Sequence, residues 1–231
     1  MYRTILLTST VKPSVVCNGT GIWLQRRDEY LEAIRFYLYH TSYPIVIVDN
    51  SNYDFYNDIP RTERFESLHY QAEDIGRGKG WGECGILEYA LNKSELLKNT
   101  EQIIKITGRL KVINIERLLS LCKDPKCVYA DSDLKLIYPH SYFFCCSPKF
   151  LYKELLPLRY MMNDQKGVHF EHVLGYAIRK WRKKNMFHVF KYPIYLDGHP
   201  GNSSIAYKKP SLFRYVIIYL KYLINDLSLL V

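Results

Sequence analysis

Two short runs of apolar residues near the amino terminus constrain the fold more than any other feature of this chain. The first lies within Arg3–Thr10, a β-branched and apolar segment that ends in hydroxyl residues. The second is Pro44–Val48, which is followed by Asp49-Asn50-Ser51. Between them, residues 28–40 carry apolar side chains at helical spacing. Strands that are apolar throughout are buried on both faces of a sheet. This βαβ order therefore predicts an α/β protein with a mostly parallel central sheet that is covered by helices on both sides.

The same alternation continues along the chain. Further predicted strands are 68–72, 102–106, 127–130 and 142–146, and further predicted helices are 83–92, 115–121, 168–184 and 211–224. A glycine-rich loop, 76–82, and a polar loop, 196–204, lie between them. No segment has the composition of a linker. We expect one domain, 1–207, followed by a basic amphipathic helix in 208–231.

Composition favours a globular protein that stays in the cytoplasm. Charged residues make up 24% of the chain and hydrophobic residues 48%, which excludes global disorder. No apolar run reaches the roughly 18 residues that span a bilayer, and the amino terminus is too weakly apolar for a signal peptide. The six cysteines include the adjacent pair Cys145-Cys146 and no CxxC pair, which suits neither a disulfide framework nor a zinc site. We therefore expect reduced, buried thiols.

Positive charge is concentrated in the C-terminal third. Of the net +9, residues 159–231 contribute +8, from twelve Lys and Arg against four Asp and Glu. This asymmetry predicts a polyanionic partner, either nucleic acid or anionic lipid. The basic run 179–184, with Trp181 for base stacking, suits nucleic acid, although cations also favour helix C-termini. Because no RNA or DNA module accompanies the basic run, we expect no nucleic-acid partner. The competing hypothesis is that the chain is a nucleic-acid-binding α/β protein without catalysis.

Small and polar residues follow three of the strands at the point where each strand ends. They are Thr8-Ser9-Thr10, Asp49-Asn50-Ser51 and Thr107-Gly108-Arg109. Carboxyl ends of parallel strands meet at one edge of a sheet, and ligands bind there. Any one of these ends is explained by residues that cap the next helix. The three together predict a crevice for a nucleotide or a sugar.

Three other motifs allow two interpretations each. The loop 76–82 lacks the ending of a P-loop. Its glycines and the cations Arg77 and Lys79 indicate either a phosphate-binding loop or a mobile loop without a ligand. Asp131-Ser132-Asp133 suits a Mg²⁺ or Mn²⁺ site or a solvated turn. Glu171, among apolar residues of a predicted helix, is either solvated or a positioned general base. His-Glu-x-x-His and Gly-x-Ser-x-Gly are absent, which argues against a zinc protease and an α/β-hydrolase.

The order and spacing of several pieces resemble bacterial glycosyltransferases from capsule and O-antigen gene clusters. The pieces are Gly78–Glu83, Ile103–Arg109, Ser141–Phe144, Phe170–His172 and Asp197–Ser204, and the resemblance covers the chain from Thr4 to about Tyr207. It implies a single GT-A-like, Rossmann-type domain that binds a nucleotide-sugar. Such enzymes transfer the sugar to a glycan or polyprenyl-linked acceptor during surface polysaccharide and lipopolysaccharide synthesis.

The resemblance also implies roles for individual residues. Glu171 falls where such folds place the acceptor-side base, so it is the expected catalytic residue. The expected nucleotide-sugar-binding residues are Thr8, Asp49, Asn50, Lys79, Glu83, Lys105, Thr107, Gly108, Arg109, His199, Asn202 and Ser203. Thr8 and Asp49 would lie by the base and ribose, and the loop 198–204 would close over the diphosphate.

One departure from the family pattern concerns the metal. In many GT-A enzymes the strand equivalent to 102–106 ends in a metal-binding Asp-x-Asp, whereas this one ends in Thr107-Gly108-Arg109. If Arg109 and Lys105 neutralise the leaving diphosphate, no metal is required, and we favour that version. If Mg²⁺ or Mn²⁺ is required, Asp131 and Asp133 are the expected ligands.

The last predicted helix, 211–224, has a narrow polar stripe of Arg214, Lys221 and Asn225. At about 20 Å it is too short to span a bilayer of about 30 Å. A basic, tyrosine-rich helix suits an interfacial anchor whose cations contact anionic lipid, and equally a helix packed on the body or in a dimer interface. The anchor would make the protein peripheral on the inner face of the plasma membrane. A membrane scaffold without chemistry would leave the polar strand ends unexplained.

Overall fold

A seven-stranded sheet organises the part of the chain that the structure, a computed structural model, describes: residues 1–13, 20–73, 76–133, 138–182, 187–199 and 206–227. The strands are β1 (Arg3–Ser9), β2 (Ile45–Asp49), β3 (Phe65–His69), β4 (Gln102–Thr107), β5 (Lys111–Val112), β6 (Val128–Ala130), β7 (Phe143–Cys146), β8 (Phe187–Val189) and β9 (Leu196–Asp197). The order in the main sheet is β3-β2-β1-β4-β7-β6-β8, and β5 pairs with β9 in a separate two-stranded sheet.

The helices lie between these strands along the chain, except for α6, which follows β9. They are α1 (Thr20–His40), α2 (Lys79–Lys93), α3 (Ile115–Leu119), α4 (Pro148–Phe150), α5 (Phe170–Arg182) and α6 (Leu212–Leu227). Directly after α4, a π-helical turn (Leu151–Leu155) and a 3-10 helix (Leu156–Met161) continue the chain, and shorter 3-10 turns occupy Phe55–Asn57 and Asp164–Lys166.

Strand direction in the main sheet is mixed but mostly parallel. β1 pairs in parallel with β2 and β4, β2 with β3, and β6 with β8. β7 runs antiparallel to both of its neighbours, β4 and β6. Six of the seven strands therefore point the same way, and their carboxyl ends share one edge, hereafter the carboxyl edge. The prediction of a mostly parallel α/β sheet is confirmed.

Both faces of the sheet are buried, as the apolar strands predicted. In β1, Ile5 and Leu7 pack into the core on the side of α1 and α3. Leu6, between them in sequence, packs into the core on the side of α2 and α5. All three are fully buried, so the middle of the strand is apolar at successive positions because each face has its own layer of helices.

Several predicted element boundaries are wrong, and α1 begins at Thr20 rather than at residue 28. α2 begins at Lys79, so half of the glycine-rich segment is helical rather than loop. Its N-cap, Gly78, has φ +98°, and a Cβ there would overlap the Asp164 carboxylate. β3 lies at 65–69 rather than 68–72. The carboxylate of Glu66, within β3, accepts hydrogen bonds from Ser94 and from the amides that follow it, which allows a charged residue in this strand.

The cysteines and helix lengths agree with the expectations from composition. Among the described residues five cysteines are buried free thiols, namely Cys84, Cys122, Cys127, Cys145 and Cys146. Cys17 lies outside the described residues. Within the same ranges, no helix combines the length and the apolar character that crossing a membrane requires.

Candidate functional site

The three polar strand ends that the sequence singled out are neighbours at the carboxyl edge. Thr8 is in register with Val48 of β2 and with Thr107 of β4. The Gly108 amide continues this ladder and donates to the Thr8 carbonyl at 2.9 Å. The predicted proximity of the three ends is therefore confirmed, and Thr8, which is buried, lies at their centre.

Asp49 connects the loops that leave β1 and β2. Its carboxylate is fully buried and accepts hydrogen bonds from the amides of Val11 (2.9 Å), Ser51 (2.8 Å) and Tyr53 (3.0 Å), and from the Ser51 hydroxyl (2.6 Å). A carboxylate with this many donors shapes the loops around it. Its contact with a nucleotide stays a prediction.

Asn50 links the end of β1 to α2. Its side-chain oxygen accepts from the Thr10 hydroxyl at 2.7 Å, and its amide nitrogen lies against Gly82 in the first turn of α2. A larger residue at position 82 would press on this amide at 3.2 Å. The carboxyl edge and the start of α2 are thus in direct contact.

Lys105 is the most unusual residue of the site, because it is a fully buried lysine in the central strand β4. Its ammonium donates to the Glu83 carboxylate in α2 and to the Ser141 carbonyl (2.6 Å), and lies 3.4 Å from the Thr107 hydroxyl. A buried charge is tolerated only where such partners replace water. Lys105 has no surface at which to meet a ligand directly, whereas Glu83 is 20% exposed.

Glu171 belongs to the same network through Ser141. It lies in the first turn of α5, half-buried, and accepts a hydrogen bond from the Ser141 hydroxyl at 2.5 Å. Ser141 therefore contacts Lys105 through its carbonyl and Glu171 through its hydroxyl. Burial raises the pKa of Tyr138, and the neighbouring Glu171 carboxylate raises it further. We name this set, Glu83, Lys105, Ser141 and Glu171, the lysine network.

The starts of α2 and α5 lie side by side above this network. The Asp164 carboxylate accepts the Lys79 amide at 2.7 Å and lies 3.2 Å from the His169 ring. Gly80 allows the approach, since a Cβ there would come within 2.9 Å of the Phe170 amide nitrogen. The side chain of Lys79 is exposed at this end of α2. The Asp164 carboxylate already accepts from the first turn of α2, so the exposed Lys79 side chain is the group at this end that could meet an anion.

Arg109 lies apart from Lys105, contrary to the expected pairing of the two cations at one diphosphate. Its guanidinium bonds the Glu29 carboxylate of α1 at 2.6 Å. Lys105 instead reaches Glu83 of α2, on the opposite face of the sheet. The two cations have separate carboxylate partners because their side chains leave β4 and its following turn towards different helical layers. The expected direct contact of Lys105 with a diphosphate is not possible for a fully buried side chain, whereas contact of Arg109 with a diphosphate stays a prediction.

The loop that was predicted to close over the diphosphate is described only at its two ends. The Gly198 carbonyl accepts the Tyr207 amide at 3.1 Å. His199 has a buried ring nitrogen, Nδ1, that meets no hydrogen-bond partner among the described residues. Asn202 and Ser203 lie outside the described residues. A buried polar atom without a partner is costly, so His199 Nδ1 has an unmet hydrogen-bonding capacity within the described part of this loop.

The Asp131 and Asp133 carboxylates do not fit a divalent cation as they are arranged. The guanidinium of Arg214, from α6, lies 3.5 Å from Asp131 Oδ2, and Asp133 accepts the Tyr138 amide at 3.0 Å. Where the structure describes the chain, no group of three or more His, Cys, Asp or Glu side chains is placed to hold a metal. An arginine at the first carboxylate repels a cation.

Helix α6 presents its cations to the body of the protein, which corrects their expected contact with lipid. Lys221 donates to the Ser132 carbonyl at 3.0 Å, one residue from the Asp131 that Arg214 contacts. Ile218, between the two cations on the same face, is buried. These partners lie in the turn after β6, far away in sequence, and they decide which face of the helix packs inward. Side chains from residue 225 onward lie outside the described set.

The basic run at the end of α5 does not offer an aromatic platform for bases. Trp181 is buried, packs edge-on against Phe150 and donates its indole N–H to the Lys126 carbonyl at 3.0 Å. Lys180 pairs with Glu154 at 2.8 Å. The proposed stacking of Trp181 on a base is therefore wrong, and Lys183 and Lys184 lie outside the described residues.

Sequence reasoning missed three residues that organise the site. They are Ser141, which joins Lys105 to Glu171, Glu29, which holds Arg109, and Asp164, which holds the starts of α2 and α5 together. Asp164 and Lys79 are 85 residues apart, and no periodic pattern signals such a contact. Ser141 was part of a family-like string, which was the one available signal.

Comparison with protein-family models finds no match, and neither does comparison with curated proteins. Among solved structures, the chain is similar to the crystal structure of HddC from Yersinia pseudotuberculosis, with 13% identity over 86% of this chain and 93% of that chain and a TM-score of 0.42. Similarity at this level carries no inference about function, which has to be argued from this chain's own residues.

Proposed function

We propose that the protein is a GT-A-like glycosyltransferase that transfers a sugar from a nucleotide-sugar to a hydroxyl of a glycan or lipid-linked acceptor in bacterial surface polysaccharide synthesis. The observation that carries the proposal is the lysine network at the carboxyl edge. There a buried cation and two carboxylates from different helices meet beside three small, polar strand ends. Charged groups are kept at this cost in a core chiefly where a site needs them.

Glu171 is the proposed general base. For an inverting transfer, its carboxylate takes the proton of the acceptor hydroxyl as that oxygen attacks the anomeric carbon, and the bond to the nucleoside diphosphate breaks with its electron pair. The hydrogen bond from Ser141 fixes the orientation of the carboxylate before substrate arrives. His172 follows Glu171 in the same turn and stacks on His169, so this turn is rich in polar groups.

Positive charge for the leaving diphosphate would come from two side chains. They are the exposed Lys79 at the start of α2 and Arg109 in the turn after β4. Such preorganised groups stabilise charge that develops in the transition state. The buried Lys105 acts at one remove, because it holds Glu83 and the Ser141 carbonyl in place.

The nucleotide is proposed to lie by Thr8 and Asp49, with His199 closing over it. His199 Nδ1, buried and without a partner among the described residues, offers a hydrogen bond that a ligand oxygen or nitrogen would complete. The loops that Asp49 holds would then form the wall of the nucleotide site.

Calorimetric titration with a panel of UDP-, GDP- and CMP-sugars tests the proposal. One donor class should bind saturably, and Lys79→Ala should weaken that binding about tenfold, because a charge-assisted hydrogen bond contributes about 1.5–3 kcal/mol. Lys93→Ala, at the exposed opposite end of the same helix, is the matched control and should bind like the native protein. No binding across the whole panel would contradict the proposed function.

A further inference from the structure

Helix α6 shows an inverted distribution of polar and apolar residues. Its inward face carries Arg214, Tyr215, Ile218, Lys221 and Tyr222. The exposed large hydrophobic residues are Leu212, Phe213, Val216, Ile217, Tyr219, Leu220, Leu223 and Ile224. At 100° per residue these eight share one side of the helix, and no charged residue interrupts them. A helix on the surface of a water-soluble domain normally has the reverse arrangement.

Specific contacts hold the inward face against the body. Arg214 pairs with Asp131, Lys221 bonds the Ser132 carbonyl, and the Tyr215 hydroxyl bonds the hydroxyl of Tyr195. Tyr222 adds packing against the core on the α2 and α5 side. The helix cannot turn its apolar side inward without breaking these contacts.

The outward face is large and strongly apolar. Leu212 and Phe213 are 83% and 73% exposed, and the face extends over about 18 Å from Leu212 to Ile224. Contiguous apolar patches on soluble monomers rarely exceed a few hundred Å², and larger ones mark surfaces that bind a partner or a membrane. This face therefore requires an occupant.

Charge decides between a bilayer and a second copy of the chain. Exposed Lys208 and Lys209 stand directly before the helix, and residues 159–231 carry +8 of the net +9. Two copies meeting through α6 would bring two regions of the same sign together, whereas an anionic bilayer attracts this region. At 16 residues, about 24 Å, the helix is too short to cross the hydrocarbon core and long enough to lie in its plane.

We infer that α6 lies in the plane of an anionic membrane, with its eight exposed apolar side chains at the boundary between headgroups and acyl chains. Lys208 and Lys209 then contact lipid phosphates, while Arg214 and Lys221 stay on the body. This reverses the orientation expected from the sequence, in which the helix cations faced the lipid.

The orientation also places the carboxyl edge of the sheet near the membrane. Asp131, the partner of Arg214, directly follows β6 at this edge, the same edge that holds Thr8 and the lysine network. The carboxyl end of β6 is thereby held next to the bilayer surface. Resting on the proposed function, this placement assigns the acceptor to the lipid-linked class, because its reacting hydroxyl would lie at headgroup height.

Vesicle sedimentation tests the membrane contact in the full-length protein without any substrate. The protein should sediment with vesicles of phosphatidylcholine containing about one third phosphatidylglycerol at low salt, and far less with phosphatidylcholine alone. A triple variant, Phe213→Ser, Val216→Ser and Leu220→Ser, should lower the apparent affinity at least tenfold, since about 0.8 kcal/mol is lost for each buried CH₂. Its matched control is Tyr39→Ser with Ile113→Ser, which removes two exposed apolar residues outside α6 and should bind normally.

Variants outside the helix keep the test valid if the triple variant folds poorly. Lys208→Glu with Lys209→Glu changes no residue of α6 and should lower affinity for the anionic vesicles about tenfold or more, at roughly 1 kcal/mol per lysine. Thermal unfolding followed by circular dichroism checks that each variant is folded.

Three results would overturn the inference. In the first, the native protein stays in the supernatant with anionic vesicles at low salt. In the second, the folded triple variant sediments with vesicles as well as the native protein does. In the third, the native protein binds no vesicles and is a dimer by sedimentation velocity, and the triple variant is a monomer. The last result would assign the face to a second copy. Donor binding, measured without vesicles, is independent: vesicle binding without any donor binding would keep the membrane contact and remove the glycosyltransferase.

Discussion

Two ion pairs at the same edge of the sheet differ in which partner is buried: the cation in one pair and the carboxylate in the other. Lys105 is fully buried and its partner Glu83 is 20% exposed. Arg214 is 54% exposed and lies 3.5 Å from Asp131, whose side chain is 9% exposed. The Lys105 ammonium lost all of its hydration on folding, so removing its partner strands a buried charge. The Arg214 guanidinium keeps much of its hydration, so the second pair contributes little energy. The comparison indicates that the lysine network belongs to the folded core, whereas α6 is an attachment that can be altered separately.

Lys105→Met gives the largest expected effect on stability, because it leaves the Glu83 carboxylate and the Ser141 carbonyl without their cation. We expect the free energy of unfolding to fall by about 3 kcal/mol, the lower end of the usual range, since Glu83 has some access to water. Adding Glu83→Gln should restore part of the loss, because the stranded charge is then removed. Urea unfolding monitored by tryptophan fluorescence measures both. A loss under 1 kcal/mol for Lys105→Met would show that the two ion pairs are equivalent after all.

Glu171→Gln should separate chemistry from stability within the lysine network. The amide keeps the shape and can still accept from the Ser141 hydroxyl, but it cannot take a proton. If Glu171 is the base, turnover should fall by about 10²–10⁴ while donor affinity and unfolding free energy change little. Ser141→Ala, which removes only the orienting hydroxyl, should have a smaller effect, about tenfold. Near-normal turnover of Glu171→Gln would remove this residue from the role.

Metal dependence tests whether Arg109 or the Asp131 and Asp133 carboxylates act on the leaving diphosphate. If cationic side chains neutralise the diphosphate, transfer should persist in excess EDTA. Arg109→Ala should then slow transfer at least about tenfold, whereas Asp131→Ala, in the α6 region, should leave it within about twofold. Loss of activity in EDTA with recovery on adding Mn²⁺ would reverse this preference and promote Asp131 and Asp133. Arg109→Lys, which keeps the charge opposite Glu29, is the control for structural damage.

The same contrast explains what could be predicted from the sequence. The apolar strands and their direction followed from local patterns, and the resemblance named Glu83, Lys105 and Glu171, which the structure brings into one network. Ser141 as their connector could not be derived, because it depends on β7 running beside β4. The polar stripe of α6 was visible, but its direction depends on Asp131 and on the Ser132 carbonyl. Patterns along the chain define faces, and only contacts distant in sequence decide what each face meets.

Alkaline pH should destabilise the folded core around α2. Burial raises the pKa of Cys84, within α2, to about 12, and that of Tyr70, which lies against α2, to about 12. A raised pKa in the folded state means that the unfolded chain ionises first. Stability should therefore be complete below about pH 9 and decline as pH rises towards 12. Urea midpoints at pH 8, 10 and 11 measure the decline. A chain lacking residues 211–231 should decline in parallel if it folds; a flat profile for the full-length chain would contradict the assignment to these groups.

The smallest expected effect belongs to Arg214→Ala. Its guanidinium is more than half exposed and meets Asp131 at a long 3.5 Å, so losing the pair should cost under about 1 kcal/mol of unfolding free energy. Lys221, Ile218 and Tyr215 still hold the helix to the body, so α6 should keep its place. Removing the cation also leaves Asp131 without its guanidinium partner. Burial raises the pKa of the nearby Tyr142, and the Asp131 charge raises it further.

The measurement is a double-mutant cycle of Arg214→Ala with Asp131→Asn, in which the coupling energy should be well below that of the Lys105 and Glu83 cycle. Equal coupling energies would mean that α6 is as much a part of the core as the lysine network. The apolar face would then be the surface of a fixed element rather than of an attachment, although its contact with the membrane would still be decided by vesicle binding.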